Sequence, residues 1–262
     1  MKAIILAAGK GTRLNHYTAD LPKGMLSFAG ETLIERQIRL FNSIGIKDII
    51  IVTGYMSEKI NYNNVKYYKN INYENTNMLE SLFVAENEFN EEIIITYSDI
   101  LFEKSILAGL LKLKELILVT VDKNWKNYWL ARYDTFNNDT ESLQLKSDNT
   151  IQEIGEADVG EDKIDGRYVG LLKFSKRGLD ILSQTYHKNK KSYWDKPWGV
   201  SKNIFQKAYI TDILNMMVND GIKIDTYLID GGWLEFDTNE DYIRMEKLYK
   251  NDGLNNFINL DK

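Results

Sequence analysis

The chain contains no cysteine. That absence excludes a disulfide framework, a thiolate metal site and a cysteine nucleophile, and it agrees with a cytoplasmic setting. Only two prolines occur in 262 residues, with no low-complexity linker and no internal repeat, so nothing marks a domain boundary and one domain over residues 1–262 is expected. Histidine is nearly missing too: His16 and His187 are the whole complement, and both read as exposed loop residues without a chemical role. Apolar runs are short. The N-terminal "AIILAA" falls well below the roughly 18 to 20 residues of a membrane helix, and below a secretory core, so neither a span nor export is expected. An excess of positive charge is also lacking, since the net charge is -5 and the pI near 5.3, which leaves no electrostatic footprint for nucleic acid. The basic run "HKNKKSYWDK" reads as a solvated loop.

What is present is a globular composition, 44% hydrophobic and 12% aromatic, in a chain long enough to bury a substantial core. "KAIILAA" is a short apolar strand, "ETLIERQIRLFNSIG" has apolar residues at helical spacing and ends at Gly45, and "KDIIIVTG" is again strand-like. "NMLESLFVAENEF" reads as a helix, "EEIIITYSDILF" as a buried strand, "SILAGLLKLK" as a helix, and "LILVTVD" and "GRYVGLLKFS" as extended segments. "YITDILNMMVNDG" is an amphipathic helix closing on Gly221, "IKIDTYLI" a strand, and "TNEDYIRMEKLYK" a last helix. Alternating strands and helices predict an α/β fold with a mostly parallel sheet flanked by helices.

Ligands of open α/β sheets bind beyond the carboxyl ends of the strands, which draws attention to the segment after the first strand, "LAAGKGTRL", and to "LPKG" ten residues on. Gly9 and Gly11 allow positive φ and close approach of a ligand, and their N–H groups can donate to an anion. Arg13 adds a planar fork of donors, and Lys23, after Pro22, a compact second cation. Together these describe a polyphosphate cradle. The residues alone leave a second reading open, a glycine turn beside two solvated cations. The dinucleotide fingerprint fails for want of a third glycine, and the P-loop pattern fails on spacing, which disfavours a nicotinamide dehydrogenase.

"LAAGKGTRL" with "LPKG", followed in order by "NTNMLESL", "TYSDILF", "GRYVGLLKFS", "YITDILNMM" and "GGWLEFDTNEDY", resembles the nucleotidyltransferases that join a nucleoside triphosphate to a phosphorylated small molecule. The resemblance implies a Rossmann-like, glycosyltransferase-A type fold. It also implies Mg2+-dependent attack of a substrate phosphate on the α-phosphorus, with release of pyrophosphate. Carried over residue by residue, Leu6, Ala7, Ala8, Gly9, Lys10, Gly11, Thr12 and Arg13 would approach the nucleotide, with Asn77 and Ser81 four apart on one helical face beside the base. Arg13 and Lys23 would be the catalytic cations, and Lys23 would also touch the acceptor's phosphate. Asp99 and Asp237 match the metal-binding acids, each with a local alternative: a turn aspartate for Asp99, and for Asp237 an N-cap completed by Glu240. No general base is required, because the attacking phosphate is already ionised.

The Gln-Pro-rich stretch of sugar-nucleotide members is missing, and the "N…SL" arrangement instead resembles cytidylyltransferases acting on phosphocholine, aminoethylphosphonate and related amines. Trp125, Tyr128, Trp129 and Trp194, with acids such as Asp122, Asp195 and Glu235, suit recognition of an ammonium group, although the same rings serve equally as core packing. The expectation is therefore a CTP-dependent enzyme that converts a small phosphorylated, amine-bearing acceptor into a CDP-linked product for surface decoration, with no nucleic-acid or membrane partner; a homodimer is compatible with it. A sugar 1-phosphate nucleotidyltransferase using UTP, dTTP or GTP, and a catalytically silent binding member of the fold, remain open.

Overall fold

The computed structural model describes residues 1–14 and 17–260. From the N-terminus, β1 (Lys2–Ala7) leads to a short hairpin, β2 (Ser27–Phe28) and β3 (Glu31–Thr32), then to α1 (Leu33–Ser43), β4 (Asp48–Thr53) and β5 (Lys66–Lys69). Helix α2 (Met78–Val84) precedes β6 (Ile93–Tyr97) and β7 (Ile100–Phe102), followed by α3 (Lys104–Leu110), β8 (Ile117–Asp122) and α4 (Trp125–Tyr133). A ribbon of β9 (Glu141–Leu145) and β10 (Ile151–Ala157) comes before β11 (Arg167–Phe174) and α5 (Lys176–Tyr193). The chain closes with α6 (Ile210–Asn219), β12 (Asp225–Ile229), β13 (Trp233–Glu235) and α7 (Asn239–Lys250).

Seven strands form the central sheet in the order β12-β8-β11-β6-β1-β4-β5. All pair in parallel except β11, which runs antiparallel between β6 and β8. The reason β1 reads as one continuous apolar run is visible in its two-sided burial. Ala3, Ile5 and Ala7 face the layer of α1, α3, α4 and α7, whereas Ile4 and Leu6 face that of α2, α5 and α6. This mixed, mostly parallel sheet between helices is the architecture expected from the order of elements.

Local signals set several boundaries. Thr32 Oγ1 accepts from the Glu35 N–H at 3.1 Å while the Glu35 carboxylate accepts from the Thr32 N–H, a capping box that starts α1, and Gly45 at φ 89° ends it. One segment carries no assignment from the sequence and one differs from expectation. The aromatic stretch around Trp125 is a helix, and the basic run after His187 is not a loop but the last turns of α5, an 18-residue helix whose Leu179, Leu182 and Tyr186 face the core. Its many lysines masked the apolar spacing of that inner face.

One edge of the sheet is held by a buried charge cluster. Glu88, just before β6, accepts from Lys2 Nζ at 2.8 Å and Tyr68 Oη at 2.6 Å, and also pairs with Lys66. Burial alone would raise this carboxyl, but the hydrogen bonds from Lys2, Lys66 and Tyr68 outweigh it and hold it down to about 2, from an ordinary 4.5. A lowered carboxyl contributes stability that is full above the ordinary value and is lost as pH falls from about 4.5 towards 2. Glu88→Gln should therefore cost about 3 kcal/mol at neutral pH and flatten the acid limb of the stability curve, as read by urea unfolding at stepped pH.

Candidate active site

The carboxyl ends of β1, β4 and β6 converge where the opening glycine turn lies. Gly11 takes φ +67°, and a Cβ there would stand 2.9 Å from the Lys23 side chain, so glycine serves both the left-handed turn and the passage of that lysine. Gly9 does not have positive φ; a Cβ built on it meets nothing within 4 Å, and its bare backbone borders open space. The turn closes through Leu14 N–H to Gly11 O at 3.0 Å and Thr18 Oγ1 to the same oxygen at 2.9 Å.

Asp99 and Asp237 come together through a small antiparallel pair, β7 with β13, in which Ile100 sits opposite Glu235 and the Phe236 N–H donates to Asp99 O at 3.1 Å. Lys23 Nζ lies between both carboxylates, 2.5 Å from Asp99 Oδ2 and hydrogen-bonded to Asp237 Oδ1. Asp237 is not the cap of α7: Thr238 is, with Asp241 completing the box, and the Asp241 carboxylate also accepts from the Asp237 N–H. The capping alternative thus falls to neighbouring residues, leaving the Asp237 carboxylate for the site.

Two adjoining cavities, of about 220 and 260 Å³, share Arg13, Met78, Tyr97, Asp99 and Asp237 as walls. The first is also lined by Leu6, Ala8, Gly9, Gly11, Thr12, Lys23, Asn77 and Ser81; the second includes Glu235. Ala7 is buried at the end of β1, and Lys10 is exposed over the Tyr55 ring, so neither lines a cavity. Asn77 is the N-cap of α2, its Oδ1 accepting from the Met78 N–H, and Ser81 Oγ accepts from Asn70 Nδ2 at 3.0 Å. Both residues hold the helix and border the cavity at once.

The expected aromatic wall for an ammonium group is corrected by the structure. Trp125, Tyr128 and Trp129 are 2%, 3% and 0% exposed, on the inner face of α4, and line neither cavity. Their faces do hold cations, but the protein's own: the Arg132 guanidinium lies 4.6 Å from the Trp129 centroid and that of Arg167 4.1 Å. Trp194 is at the end of α5 under Lys190, also outside both cavities. Asp122 accepts from Trp233 Nε1, Gly231 N and Asn124 N, a loop clamp rather than a ligand contact, and Asp195 accepts from Gln206. His187 is on α5, hydrogen-bonded to Glu86; His16 lies outside the described residues.

The electrostatics follow from crowded opposite charges. Burial disfavours the charged forms of Lys23 and Asp237, yet Asp99 and Asp237 outweigh it for the lysine, raising its pKa, while Lys23 and Arg13 outweigh it for Asp237, lowering its own. Arg13 lies 3.4 Å from Asp237 and 3.6 Å from Asp139. Glu235 is pushed up to about 7 by burial, against the attraction of Arg132 and with the Asp237 charge adding to the rise. Beneath the site Arg132, 1% exposed, spans Asp241 with Nε and Nη2 at 3.1 and 2.8 Å and reaches Glu235 with Nη1. Oxygens of Asp139, Glu235 and Asp237 lie within 4.8 Å of one another, a spacing suited to a divalent cation. Asp99 is not in that trio, and its carboxylate and that of Asp237 both pair with Lys23 Nζ.

Comparison with known proteins now decides the family. The model of the MobA-like NTP transferase domain matches residues 3–159, more than half of the chain. The chain belongs to this family. Over 94% of its length it is 32% identical to CTP:phosphoglutamine cytidylyltransferase of Campylobacter jejuni, whose whole length it covers. It is 29% identical to choline-phosphate cytidylyltransferase of Streptococcus pneumoniae, over 97% of this chain and all of that one. Among solved structures, CTP:phosphocholine cytidylyltransferase of Streptococcus pneumoniae superposes with a TM-score of 0.72 at 21% identity, covering 95% of this chain and 98% of that one. Membership in this transferase family accords with the nucleotidyltransferase resemblance read from the N-terminal motif.

Tyr73, Thr76 and Ser98 in the first cavity, and Asp139, Glu141, Arg167, Tyr168 and Tyr209 in the second, were not singled out in the sequence. For Arg167 a signal existed. Because β11 runs against its neighbours, its first residue, opposite Asp122 at the end of β8, lies at the edge where the parallel strands finish. Reading "GRYVGLLKFS" as antiparallel would have put Arg167 there. Asp139 and Glu141 lie in and beside an irregular connection, and no local pattern marks them.

Proposed function

We propose that the chain is a Mg2+-dependent cytidylyltransferase that transfers CMP from CTP to a small phosphorylated or phosphonate, amine-bearing acceptor. The observation carrying this reading is the pair of cavities that meet at Arg13, Asp99 and Asp237, room for two ligands whose phosphates would face each other. The triphosphate takes the first cavity, against the bare backbone at Gly9 and Gly11, and the acceptor the second. Arg13 and Lys23 neutralise phosphate charge, and an acceptor oxygen attacks the α-phosphorus as the bond to the pyrophosphate leaving group breaks. CTP is carried over from the two similar enzymes named above, and the acidic lining from Asp139, Glu141 and Glu235 supports an amine on the acceptor.

Asp99 and Asp237 are the residues that would hold Mg2+, with Asp139 and Glu235 as neighbours of Asp237. The fit is supported by Lys23, a cation already lying between the first two carboxylates, and by an all-oxygen donor set. When bound, the ion supplies charge neutralisation on the triphosphate. Among the described residues no helix is long and apolar enough to cross a membrane.

Pyrophosphate release tests the proposal directly, with each common nucleoside triphosphate against phosphocholine, phosphoethanolamine, aminoethylphosphonate, phosphorylated amino acids and sugar 1-phosphates. Release requiring CTP, Mg2+ and an amine-bearing acceptor is the expected result. Release only with a sugar 1-phosphate and UTP, dTTP or GTP would replace the acceptor and base assignments, and no release with any pair would favour a silent member of the fold.

A further inference from the structure

We propose that Gln37 and Tyr128 are positioning residues of the site: from two different helices they clamp the outer edges of the β7–β13 ribbon and so fix how Asp99 and Asp237 stand around Lys23. This rests on the assignment of those two carboxylates to the active site. The ribbon has only three residues in each strand and lies outside the seven-stranded sheet. A strand pair that small has little stability of its own. Yet each strand delivers one acid, Asp99 immediately before β7 and Asp237 two residues after β13, so any slip of the ribbon moves the carboxylates with it.

The two side chains grip the ribbon at one level. The Phe236 N–H bonds to Asp99 O across it, so at the next pair, Ile100 opposite Glu235, the backbone groups turn outwards. Each side is met by a buried side chain. Gln37, on α1 and fully buried, donates from Nε2 to Ile100 O at 2.7 Å and to Tyr97 O at 2.8 Å, spanning the two residues between them, Ser98 and Asp99. Its Oε1 is buried with no partner among the described residues. A residue with only a packing role would avoid that cost, so what the amide provides is its pair of donated bonds. Tyr128, on α4 and 3% exposed, holds the other edge: its hydroxyl accepts from the Glu235 N–H at 2.8 Å and donates to the Glu235 carbonyl at 3.1 Å. Helix α1 also fixes the segment of the lysine, since a Cβ on Gly24 would stand 2.6 Å from Ile34 Cδ1 and 2.8 Å from Ser98 Cβ. Lys23, Asp99 and Asp237 are thus registered against two helices instead of depending on the loops that carry them.

The test uses Gln37→Met and Tyr128→Phe, which keep most of each side chain's bulk and remove its hydrogen bonds. Leu182→Ala, in the core on α5, controls for destabilisation alone. Two readouts are taken on the whole protein. Without ligand, hydrogen exchange by NMR follows the Phe236 amide, whose bond to Asp99 O closes the ribbon, against the Ile4 amide of the central sheet. Its exchange relative to Ile4 is expected to rise roughly tenfold in each variant. With a non-hydrolysable CTP analogue present, titration calorimetry follows Mg2+, whose affinity should fall roughly tenfold to a hundredfold, the usual loss when a group orienting a metal ligand is removed. Leu182→Ala should change neither value. Exchange at Phe236 that moves only in step with Ile4, or losses that Leu182→Ala reproduces, would overturn the inference. Tyr128→Phe keeps its ring packed in place, so the comparison stands even where Gln37→Met fails to fold. Faster exchange at Phe236 in a protein that binds no Mg2+ even as wild type would leave the clamp standing and defeat the metal assignment. Wild-type Mg2+ affinity retained in both variants would do the reverse.

Discussion

Lys23→Ala is expected to lower kcat/KM for pyrophosphate release roughly a hundredfold to a thousandfold. The side chain is enclosed, it reaches both Asp99 and Asp237, and those carboxylates keep it charged well above its ordinary titration range. An ammonium held this way is oriented before a triphosphate arrives, so its interaction with developing phosphate charge carries no reorganisation cost. The same substitution leaves Asp99 and Asp237 facing each other without their shared cation. Thermal unfolding of Lys23→Ala should therefore become more sensitive to Mg2+ than that of the wild type, a readout independent of activity. Turnover near the wild-type rate would remove Lys23 from the chemistry. Unchanged Mg2+ sensitivity would place the cation site elsewhere, most directly at the Asp139, Glu235 and Asp237 trio.

Replacing Arg132 with methionine should destabilise the protein by about 3 to 5 kcal/mol in urea unfolding, the largest stability effect expected here. Methionine matches much of the volume but none of the charge, and it strands Asp241 and Glu235. Asp241 is fully buried and bound to Arg132 by two hydrogen bonds, while its carboxylate also caps α7 and accepts from the Asp237 N–H. Losing the arginine therefore disturbs three things at once: the contact of α4 with α7, the start of α7, and the placement of Asp237. An exposed pair such as Lys176 with Asp180, four apart on α5, provides the control, and Lys176→Ala should cost less than about 1 kcal/mol. A loss of similar size in Arg132→Met would show that the buried network is not what joins α4 to α7.

Much of the fold was legible because its signals are local. The strands around Ile4, Ile50 and Ile95 are apolar on both faces, α1 has its own capping box, and Gly45 ends it. Such patterns act through neighbours in sequence, so the periodicity of a short window carries them. The glycine turn after β1 was legible for the same reason, since glycine at position 11 answers a backbone demand within its own turn. Helix α5 was hidden because its exposed basic face outweighs three inward apolar residues in composition, though not in packing.

The tryptophans show where local reading stops. Their aromatic faces did imply bound cations, and cations are bound, but whether these belong to a ligand or to Arg132 and Arg167 depends on how α4 packs against β11 and α7. Residue types and spacing by themselves determined the α/β class and drew attention to the glycine turn with Arg13 and Lys23, while Asp99 and Asp237 were singled out by the family resemblance. Only the tertiary structure decided that Asp99 and Asp237, 138 positions apart in the chain, meet across β7 and β13 around Lys23, and that Arg167 and Glu141 share a cavity. The physical reason is that these are distances between elements, set by sheet order and by the reversed direction of β11, and no stretch of sequence encodes them one element at a time.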